Sequence, residues 1–465
     1  MGMGKQPGTT PGDGFGRQVG RRVVKRVVKR VGALLAALAG KPGLSGLPGL
    51  LVLPALLWTG AAHGGTLVLE SWRSDDRVLW ETVLIPAFER KHPAIKLRFA
   101  GTAPTEYDSV LAERLAGGSA GDLLACRPFD ASLALYRKGY LDKLDGKSGM
   151  QHFNPHALVA WQTDDGKDTF CMPVASAIHG FFYNKRIFRK LNLQAPDTEA
   201  EFFAVLDAVR KDGAYAPLAL GTAEQWEASQ TVFTNIGPAY WGGEEGRRAL
   251  VAGKAKFTDP PFMAAFHAEA RLAGYLSSNA ARQSYNDSQV LFATGRAAIY
   301  PAGSWDIAYF NQSAGLDLGV FPPPVARAGD KCQISDHMDI GIGVNRKSRN
   351  KKDAYQFLAW LGSQEFADLH TNRLTGFFSL SNHLIAVRDP LAKQMAAWRH
   401  SCGTTFRLNA QFLNRGKPNL EQELWAVNAQ VLNGALSPQD AAARLQQGLG
   451  KWYKPQKKQA GGQAR

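Results

Sequence analysis

The stretch QVLFATGRAAIYPAGSWDIAYF (residues 289–310) decides the fold, because helix, strand and turn signals follow one another within it. Val290, Leu291 and Phe292 have helical spacing, and Gly295 lies where a helix would end. The apolar run AAIY (297–300) predicts a short strand. Residues 301–304 predict a turn, and we expect Ser304 to cap a second helix that begins at Trp305.

This arrangement would place the ring of Trp305 beside backbone N–H groups that have no partner within the helix. A flat apolar ring next to free donors suits a ligand with an apolar face and many hydroxyls, such as a sugar, and the free donors alone suit an anion. The alternative is a core tryptophan below a loop. The stretch by itself leaves both interpretations open.

Length and composition indicate a soluble globular chain with room for two domains. It has 465 residues, of which 45% are hydrophobic and 20% are charged. The net charge of +15 is concentrated at the ends. Residues 1–62 carry nine Lys or Arg and one Asp, and residues 451–465 carry five Lys or Arg and no acid, so the body between them has a net charge of only +2. A nucleic-acid-binding groove would need its positive charge in the body, so we expect no nucleic-acid partner.

Residues 1–62 have the layout of a secretory signal. A basic segment (21–30) precedes two apolar segments (33–39 and 47–58), and small residues follow, with cleavage expected near Ala62. Pro48 and Pro54 interrupt the apolar part, which argues against a stable membrane-spanning helix. We therefore expect a periplasmic protein. At the other end, the polar residues 454–465 predict a disordered basic tail.

The four cysteines are Cys126, Cys171, Cys332 and Cys402. None forms a CxxC pair, which argues against zinc and thioredoxin-like sites. The even number is compatible with two disulfides in an oxidising compartment, for which three pairings exist, and equally with four buried thiols.

The mature chain begins with alternating strands and helices. Strands are expected at 66–72, 95–101 and 122–126, with helices at 78–93 and 107–118 between them. This alternation indicates parallel βαβ units and an α/β fold. Further along, residues 350–371 predict one helix or two joined at Ser363, and Ser437 predicts a helix start.

Motifs for catalysis and for metal or cofactor binding are missing from the sequence. No complete P-loop, GxSxG elbow or HExxH motif occurs. The adjacent acids Asp75–Asp76 and Asp164–Asp165 lie in polar stretches and indicate solvated loops rather than a glycosidase pair. We therefore expect a binding protein without catalytic residues, metal or cofactor.

Tryptophans follow several predicted strands. Trp72 ends the first predicted strand, Trp226 follows a predicted strand at 217–220, and Trp305 follows the one at 297–300. In open α/β sheets ligands bind beyond the carboxyl ends of the strands. Exposed rings at these places would stack on the apolar face of a sugar. For Trp226, Trp241 and Trp305, ligand stacking and core packing remain about equally favoured. Trp80 and Trp425 lie on helix faces, and we expect them in the core.

Six segments in order resemble a known family. They are AGDLL with KGYLDKLD (120–145), MPVASAIHGFFYNKRIFRKLNL (172–193), LFATGRAAIYPAGSWDI (291–307), GVFPPP (319–324), DIGIGVNRKSRNKKDAYQFLAWL (339–361) and LNGALSPQDAAARL (432–445). The chain resembles the family-1 extracellular solute-binding proteins of ATP-binding-cassette importers, which include the maltose- and glycerol-3-phosphate-binding proteins.

The resemblance implies the type II periplasmic-binding-protein fold, with two α/β lobes, a ligand cleft between them and hinge closure. Lobe I would comprise 66–175 and 330–370, and lobe II 176–329 and 371–453. The implied partners are a small carbohydrate and an inner-membrane permease, and the protein would be a monomer. The cleft positions carried over from the family are Trp72, Glu106, Ser176, Trp226, Trp241, Ser304 and Trp305, with an aromatic segment at Phe377 and Phe378.

The resemblance also places Arg407 where the glycerophosphodiester binders use an arginine. If Arg407 faces the cleft, a ligand phosphate or carboxylate becomes plausible. The expected function is capture of a mono- or oligosaccharide for import. The alternatives are capture of a phosphorylated polyol such as glycerol 3-phosphate or a glycerophosphodiester and, more remotely, a secreted glycosidase or lyase.

Overall fold

A computed structural model describes residues 65–457. The predicted leader (1–62) and the last eight residues of the chain lie outside the described residues. No helix among residues 65–457 is long and apolar enough to cross a membrane.

The described residues form a mixed α/β fold. The strands are β1 Thr66–Ser71, β2 Lys96–Gly101, β3 Leu123–Cys126, β4 Met172–Asn184, β5 Ala216–Leu218, β6 Ala297–Gly303, β7 Leu318–Phe321, β8 Gln333–Val344, β9 Phe378–Ser379 and β10 Gly403–Thr405. The helices before β6 are α1 (77–91, with a π-helical turn at Trp80–Leu84), α2 Tyr107–Gly117, α3 Asp130–Arg137, α4 Pro155–Leu158, α5 Lys185–Lys190, α6 Glu199–Asp212, α7 (228–241, opening with the π-helical Ala228–Phe233), α8 Gly243–Val251, α9 Pro260–Leu272 and α10 Tyr285–Ala293. The later helices are α11 Ile307–Phe310, α12 Lys351–Leu361, α13 Gln364–Arg373, α14 Pro390–Ser401, α15 Leu420–Leu432, α16 Pro438–Trp452 and α17 Lys454–Lys457.

The first part of the sheet confirms the predicted βαβ pattern. β1 pairs in parallel with β2 (Leu69 opposite Phe99) and with β3 (Leu69 opposite Leu123). The strand order is β2-β1-β3-β8-β4-β6-β5. Pairings of β8 with β3 and β4, and of β4 with β6 and β7, are antiparallel. The helices α1 and α2 are crossovers between parallel strands at the start of the chain, and β5 and β6 form a further parallel pair later in it.

Two long strands, β4 and β8, pass from one part of the sheet to the other. The first half of β4 pairs with β8, and its second half pairs with β6 and β7. The second half of β8 pairs with β3, whereas its beginning pairs with β10. These strands link two regions that have separate apolar cores, which is the arrangement of a two-lobed solute-binding fold.

The apolar cores refine the expected lobe boundaries. The core around β1–β3 includes Val174 and Ala175, and the next core begins at Ile178. The expected boundary at 370/371 falls inside α13, and Leu374 and Phe377 beyond it still pack in the first core. We therefore propose that lobe I extends to Phe377.

The stretch 289–310 differs from expectation at its turn. α10 ends at Ala293 as predicted, but β6 continues through Pro301 to Gly303, because its antiparallel pairing with β4 continues to the pair His179–Gly303. Ser304 makes no capping hydrogen bond. Its hydroxyl instead accepts from the backbone N–H of Ile178 at 3.0 Å and donates to the carbonyl of Gly376. The predicted Ser304 cap is therefore wrong.

Other local predictions have mixed outcomes. Ser363 separates α12 from α13 and accepts from the N–H of Phe366, as expected for a helix break there. The predicted disordered tail is wrong for its first four residues, since Lys454–Lys457 form a helix. Gln456 is buried there, and its amide donates to the carbonyls of Leu250 and Ala255 at 2.7 and 2.9 Å.

The four cysteines form two disulfides. Cys126 at the end of β3 is bonded to Cys171, and Cys332 before β8 is bonded to Cys402 after α14. One of the three possible pairings is therefore realised, and the alternative of four free thiols is wrong.

Candidate functional site

A cavity of about 1760 Å³ opens beyond the carboxyl ends of the strands. Trp72 and Arg73 follow β1, Arg127 follows β3, and Trp305 follows β6, and all four line this cleft. Its position agrees with the rule for ligand sites in open α/β sheets.

One side of the cleft is organised around a tyrosine, and we call Trp226, Tyr285, Trp305 and Asp306 the tyrosine wall. The ring centroids of Tyr285 and Trp226 are 4.8 Å apart at an interplanar angle of 57°. Trp305 Nε1 donates to the Tyr285 hydroxyl oxygen at 3.1 Å, and that hydroxyl donates to Asp306 Oδ1. The indole N–H of Trp305 and the hydroxyl of Tyr285 are thus hydrogen-bonded within the wall, which leaves the faces of their rings for a ligand.

Asp306 anchors this wall from below. Its side chain is buried, and Gln289 Nε2 donates to Oδ1 at 2.7 Å. Burial raises the pKa of Asp306 to about 6, although the hydrogen bonds from Tyr285 and Gln289 act in the opposite direction. The carboxyl group therefore titrates near pH 6 rather than in the usual acidic range.

A second side of the cleft is built on arginine, and we call Arg127, His337, Arg407 and Glu421 the arginine wall. Arg407 Nη2 lies 2.7 Å from His337 Nε2, and His337 Nδ1 lies 2.9 Å from His179 Nε2. Because a guanidinium can only donate, we assign Nε2 of His337 as the acceptor, which leaves its Nδ1–H to donate to His179. The two imidazoles and Arg407 thus form one hydrogen-bonded chain.

The electrostatics of this wall keep its histidines neutral. Burial and the charge of Arg407 lower the pKa of His337 to about 4. Burial opposes ionisation of the nearby Asp339, whereas the charges of Arg407 and Arg73 lower its pKa. Burial also lowers the pKa of Arg407 itself. Arg407 Nε is buried and has no hydrogen-bond partner among residues 65–457.

Arg127 and Glu421 complete the arginine wall. The guanidinium of Arg127 stacks 4.8 Å from the ring of Trp72, and its Nε donates to Asp108 at 3.0 Å. Burial raises the pKa of Glu421, whereas the charges of Arg407 and Arg127 lower it. Arg127 and Glu421 therefore add a guanidinium and a carboxyl group to this side of the cleft.

The base of the cleft carries an ion pair next to an aromatic ring. Arg73 donates to both carboxylate oxygens of Asp76 at 2.9 and 2.8 Å. Its guanidinium carbon lies 4.6 Å from the centre of the Phe377 ring. Arg73 is thus held by Asp76 and by stacking, and its charge is already balanced.

Five of the ten predicted ligand positions line the cleft: Trp72, Trp226, Trp305, Phe377 and Arg407. They come from five separate parts of the chain. The structure brings Trp305 into contact with both walls, because its ring centroid also lies 5.0 Å from that of His179 and 5.8 Å from that of His337.

Both predicted serines are structural rather than cleft-lining. Ser176 is buried in β4, where its hydroxyl accepts from Arg399 Nη2 at 2.8 Å. Ser304 is also buried, with the two partners described above. Their side chains join segments of backbone and do not reach the cavity.

Three further predicted positions also lie away from the cavity. Trp241 is buried between Phe233 and Phe262, with ring centroids at 5.5 and 5.4 Å. Phe378 is buried in β9 under the guanidinium of Arg399. Glu106 is exposed at the start of α2, outside the cleft, although its neighbours Thr105 and Asp108 line it.

Sequence reasoning missed several residues that line the cleft, namely Tyr285, Asp306, His337, Glu421 and Trp425. Trp425 was expected in the core, but it is half-buried and lines the cavity. Asp306 is adjacent to Trp305 and was the easiest to infer. Tyr285 carried no local signal, since it reads as an ordinary first residue of a helix capped by Ser284.

Comparison with known proteins explains this architecture. The family model for bacterial extracellular solute-binding proteins matches residues 75–367. The chain belongs to this family. The multiple sugar-binding protein of Streptococcus mutans is 24% identical over 285 residues, which is 60% of this chain and 66% of that protein. An uncharacterized ABC transporter extracellular-binding protein of Pyrococcus horikoshii is 28% identical, over 53% of this chain and 57% of its own length. The matched stretches thus span less than two thirds of the length of these curated relatives.

Solved structures agree on the fold. A chitin oligosaccharide binding protein superposes with a TM-score of 0.70 at 21% identity and covers 83% of this chain and 98% of its own. The GacH receptor of Streptomyces glaucescens, solved unliganded and with acarbose, superposes with a TM-score of 0.67 at 20% identity, over 84% of this chain and 99% of its own. The two-lobed solute-binding fold expected from the sequence is therefore confirmed.

The site is chemically suited to binding a polyhydroxylated ligand. Rings of Trp226, Tyr285 and Trp305 offer apolar faces, whereas guanidinium and carboxylate groups offer donors and acceptors. Among residues 65–457, no group of three or more His, Cys, Asp or Glu side chains could hold a metal ion.

Proposed function

We propose that this chain is the sugar-binding component of an ATP-binding-cassette importer. The observation that carries the proposal is the tyrosine wall, in which Trp226, Tyr285 and Trp305 line one cleft together with the charged groups of the arginine wall. Aromatic faces stack on the C–H surface of a pyranose ring, and charged groups orient its hydroxyls. The names of the Streptococcus mutans relative and of the chitin oligosaccharide binding protein support the same class of ligand.

The size of the cleft favours an oligosaccharide over a monosaccharide. A cavity of about 1760 Å³ exceeds the roughly 300–1,000 Å³ of a pocket for a drug-sized molecule. Trp72 and Trp425 line further parts of it, beyond the tyrosine wall. A ligand of two or more sugar units would contact several of these rings at once.

Location and delivery follow from the same proposal. The protein would work as a monomer in the periplasm, close around its sugar by rotation of the lobes about β4 and β8, and pass the sugar to an inner-membrane permease. The two disulfides support an oxidising compartment. The predicted leader supports export.

Titration of intrinsic tryptophan fluorescence of residues 63–465 tests the proposal. The panel would contain glucose, maltose, maltotriose, xylotriose, chitotriose and raffinose, together with glycerol 3-phosphate and glycerophosphocholine. We expect saturable binding of one oligosaccharide at micromolar or lower concentration. A folded protein that responds to none of the sugars would contradict the proposal.

A phosphorylated polyol is the second candidate ligand, because Arg407 lines the cleft. A guanidinium with free donors suits a phosphate or carboxylate. Against this candidate, Asp339 and Glu421 already act electrostatically on Arg407. Binding of glycerol 3-phosphate or glycerophosphocholine, with no response to neutral sugars, would favour it.

We further propose that the protein does not catalyse hydrolysis of its ligand. Its family is one of solute-binding proteins, and Arg73 already holds Asp76, one of the cleft carboxylates, in an ion pair. Release of nitrophenol from nitrophenyl glycosides at a rate above the uncatalysed one would contradict this and would support the glycosidase alternative.

A further inference from the structure

Tyr285 connects the two tryptophans that face the cleft from lobe II. It contacts the ring of Trp226, accepts a hydrogen bond from Trp305 Nε1 and donates one to Asp306. Its own backbone N–H donates to Glu224 Oε2 at 2.5 Å. One side chain thus determines how both tryptophan rings are held.

Asp306 acts on the tryptophans only through Tyr285. Oδ1 accepts from Tyr285 and from Gln289, and the side chain is 1% exposed. The carboxylate therefore fixes the tyrosine hydroxyl, which in turn fixes the plane of the Trp305 ring. Asp306 has no need to touch a ligand to affect its binding.

We propose that Tyr285 and Asp306 are positioning residues that hold the rings of Trp226 and Trp305 in the orientation for stacking on a sugar, an inference that rests on the proposed function. A ring already held in its binding orientation loses less side-chain freedom when the sugar binds. This preorganisation amounts to roughly two- to tenfold in affinity for each ring.

The arrangement makes sugar binding sensitive to pH. Burial raises the pKa of Asp306 to about 6, and protonation turns it into a weaker acceptor for Tyr285. The titratable or charged groups around it are Tyr285, Tyr300, Glu227 and Arg73. The tyrosines have pKa values raised well above 10 by burial, so they stay neutral. Burial also raises the pKa of Glu227, so the experiment must separate it from Asp306.

The imidazoles next to Trp305 do not contribute to this pH dependence. Burial and the charge of Arg407 lower the pKa of His337 to about 4, and burial followed by the coulombic effect of His337 lowers that of His179 well below its usual range. Both rings are therefore neutral between pH 5 and 8.

Affinity and stability should respond to acid in opposite directions. The pKa of Asp306 in the folded protein, about 6, is higher than the value of about 3.9 expected in the unfolded chain. The contribution of Asp306 to stability is therefore fully present below the unfolded pKa and is lost as pH rises through 6. Acid thus favours the fold through this group while it weakens the hold on Trp305. A merely structural role would move affinity and stability together.

The experiment compares wild type with Tyr285→Phe, Asp306→Asn and the control Glu227→Gln. The affinity for the tightest-binding oligosaccharide of the panel is measured by calorimetry between pH 5 and 8. We expect the wild type and Glu227→Gln to lose about two- to tenfold in affinity on acidification, with a midpoint near pH 6. In Asp306→Asn that transition should vanish. In Tyr285→Phe it should vanish as well, because the hydroxyl through which Asp306 acts on Trp305 is gone.

A second readout requires no sugar. The indole N–H resonance of Trp305, assigned with Trp305→Phe, is followed by NMR over the same pH range. We expect it to shift with a midpoint near pH 6 in wild type and Glu227→Gln but not in Asp306→Asn.

A resonance that does not change with pH in the wild type would overturn the inference. So would wild-type affinity of Tyr285→Phe and Asp306→Asn at every pH. Absence of sugar binding, with the resonance still titrating, would overturn the proposed function and leave the positioning inference standing.

Discussion

The two walls of the cleft use their polar groups differently. In the tyrosine wall, Trp305 Nε1, the Tyr285 hydroxyl and Asp306 Oδ1 are bonded to one another. In the arginine wall, Arg407 bonds to His337 through Nη2, but its Nε has no hydrogen-bond partner among the described residues. The first wall uses its hydrogen bonds to hold its own rings, whereas the second presents charged groups to the cleft.

This difference predicts that the two walls contribute differently to affinity and to discrimination among ligands. The tyrosine wall should supply affinity for any ligand with an apolar face, with little discrimination among sugars of the same ring shape. The arginine wall should discriminate, because a buried donor left unpaired by the wrong ligand is costly. Variants in the two walls should therefore affect different quantities, namely affinity for the whole sugar panel and preference within it.

Removal of the stacking rings should have the largest effect. In Trp226→Ala the loss of one apolar platform should cost on the order of 1–3 kcal/mol of binding free energy, about ten- to a hundredfold in affinity. The double variant with Trp305→Ala should lose more than about a hundredfold. Calorimetric titration with the panel measures both. Trp452→Ala is the control for the loss of an indole, because Trp452 is also half-buried but does not line the cleft. If the double variant bound the sugars with wild-type affinity, the assignment of the site would be contradicted.

Replacement of Arg407 should have a smaller effect on neutral sugars and a change in preference. A hydrogen bond to a charged group is worth about 1.5–3 kcal/mol, so Arg407→Gln should lose roughly ten- to a hundredfold for a ligand that bonds to it. Neutral sugars that do not contact it should bind as before. The ratio of affinities for glycerol 3-phosphate and maltotriose gives the measurement. Arg399→Gln, an arginine paired with Asp336 outside the cleft, is the matched control.

Arg407→Gln should also change the pKa of His337, which can be measured without a ligand. The charge of Arg407 is, after burial, the main cause that lowers the pKa of His337 to about 4. Without that charge the pKa of His337 should rise, and the imidazole should protonate at a higher pH in an NMR titration. An unchanged pKa would show that Arg407 does not act on His337 as the 2.7 Å contact indicates.

Strand ends were predictable from the sequence because they follow from chain order alone. A residue just after β1 or β6 must lie at the carboxyl edge of the sheet, whatever else the chain does, so Trp72 and Trp305 were found. The βαβ alternation at the start of the chain was predictable for the same reason, since helical and strand periods can be read from the sequence.

Side-chain direction was not predictable from the sequence. Ser176 and Ser304 lie on strand and turn positions next to the cleft, but backbone partners and Arg399 take their hydroxyls. Trp241 falls in an aromatic-rich stretch that forms a helix, and Phe233 and Phe262 enclose its ring. Tyr285 is positioned by Trp305 and Asp306, about 20 residues further along the chain, so no local pattern marks it.

Replacement of Arg415 should have the smallest effect on affinity, and it tests directly how the arginine wall is held. It lies on the same segment as Arg407, and its Nε donates to Asp130 at 2.6 Å, while Nη1 and Nη2 donate to Asp164 at 2.8 and 2.7 Å. Asp130 also accepts the backbone N–H groups of Phe412 and Asn414. These aspartates lie in the expected lobe I, so the pairs join the two lobes away from β4 and β8.

Arg415→Gln should therefore shift the equilibrium towards an open cleft and lower sugar affinity by about two- to tenfold, without unfolding the protein. The fold should survive because Asp164 keeps its bond to Arg137 and Asp130 keeps its backbone donors. Small-angle scattering should show a larger radius of gyration than for Arg444→Gln, which breaks a similar pair to Glu423 within lobe II. Equal radii and equal affinities would mean that the segment from Arg407 to Arg415 is held by its own core residues, Leu408 and Leu413, and that the arginine wall does not depend on closure.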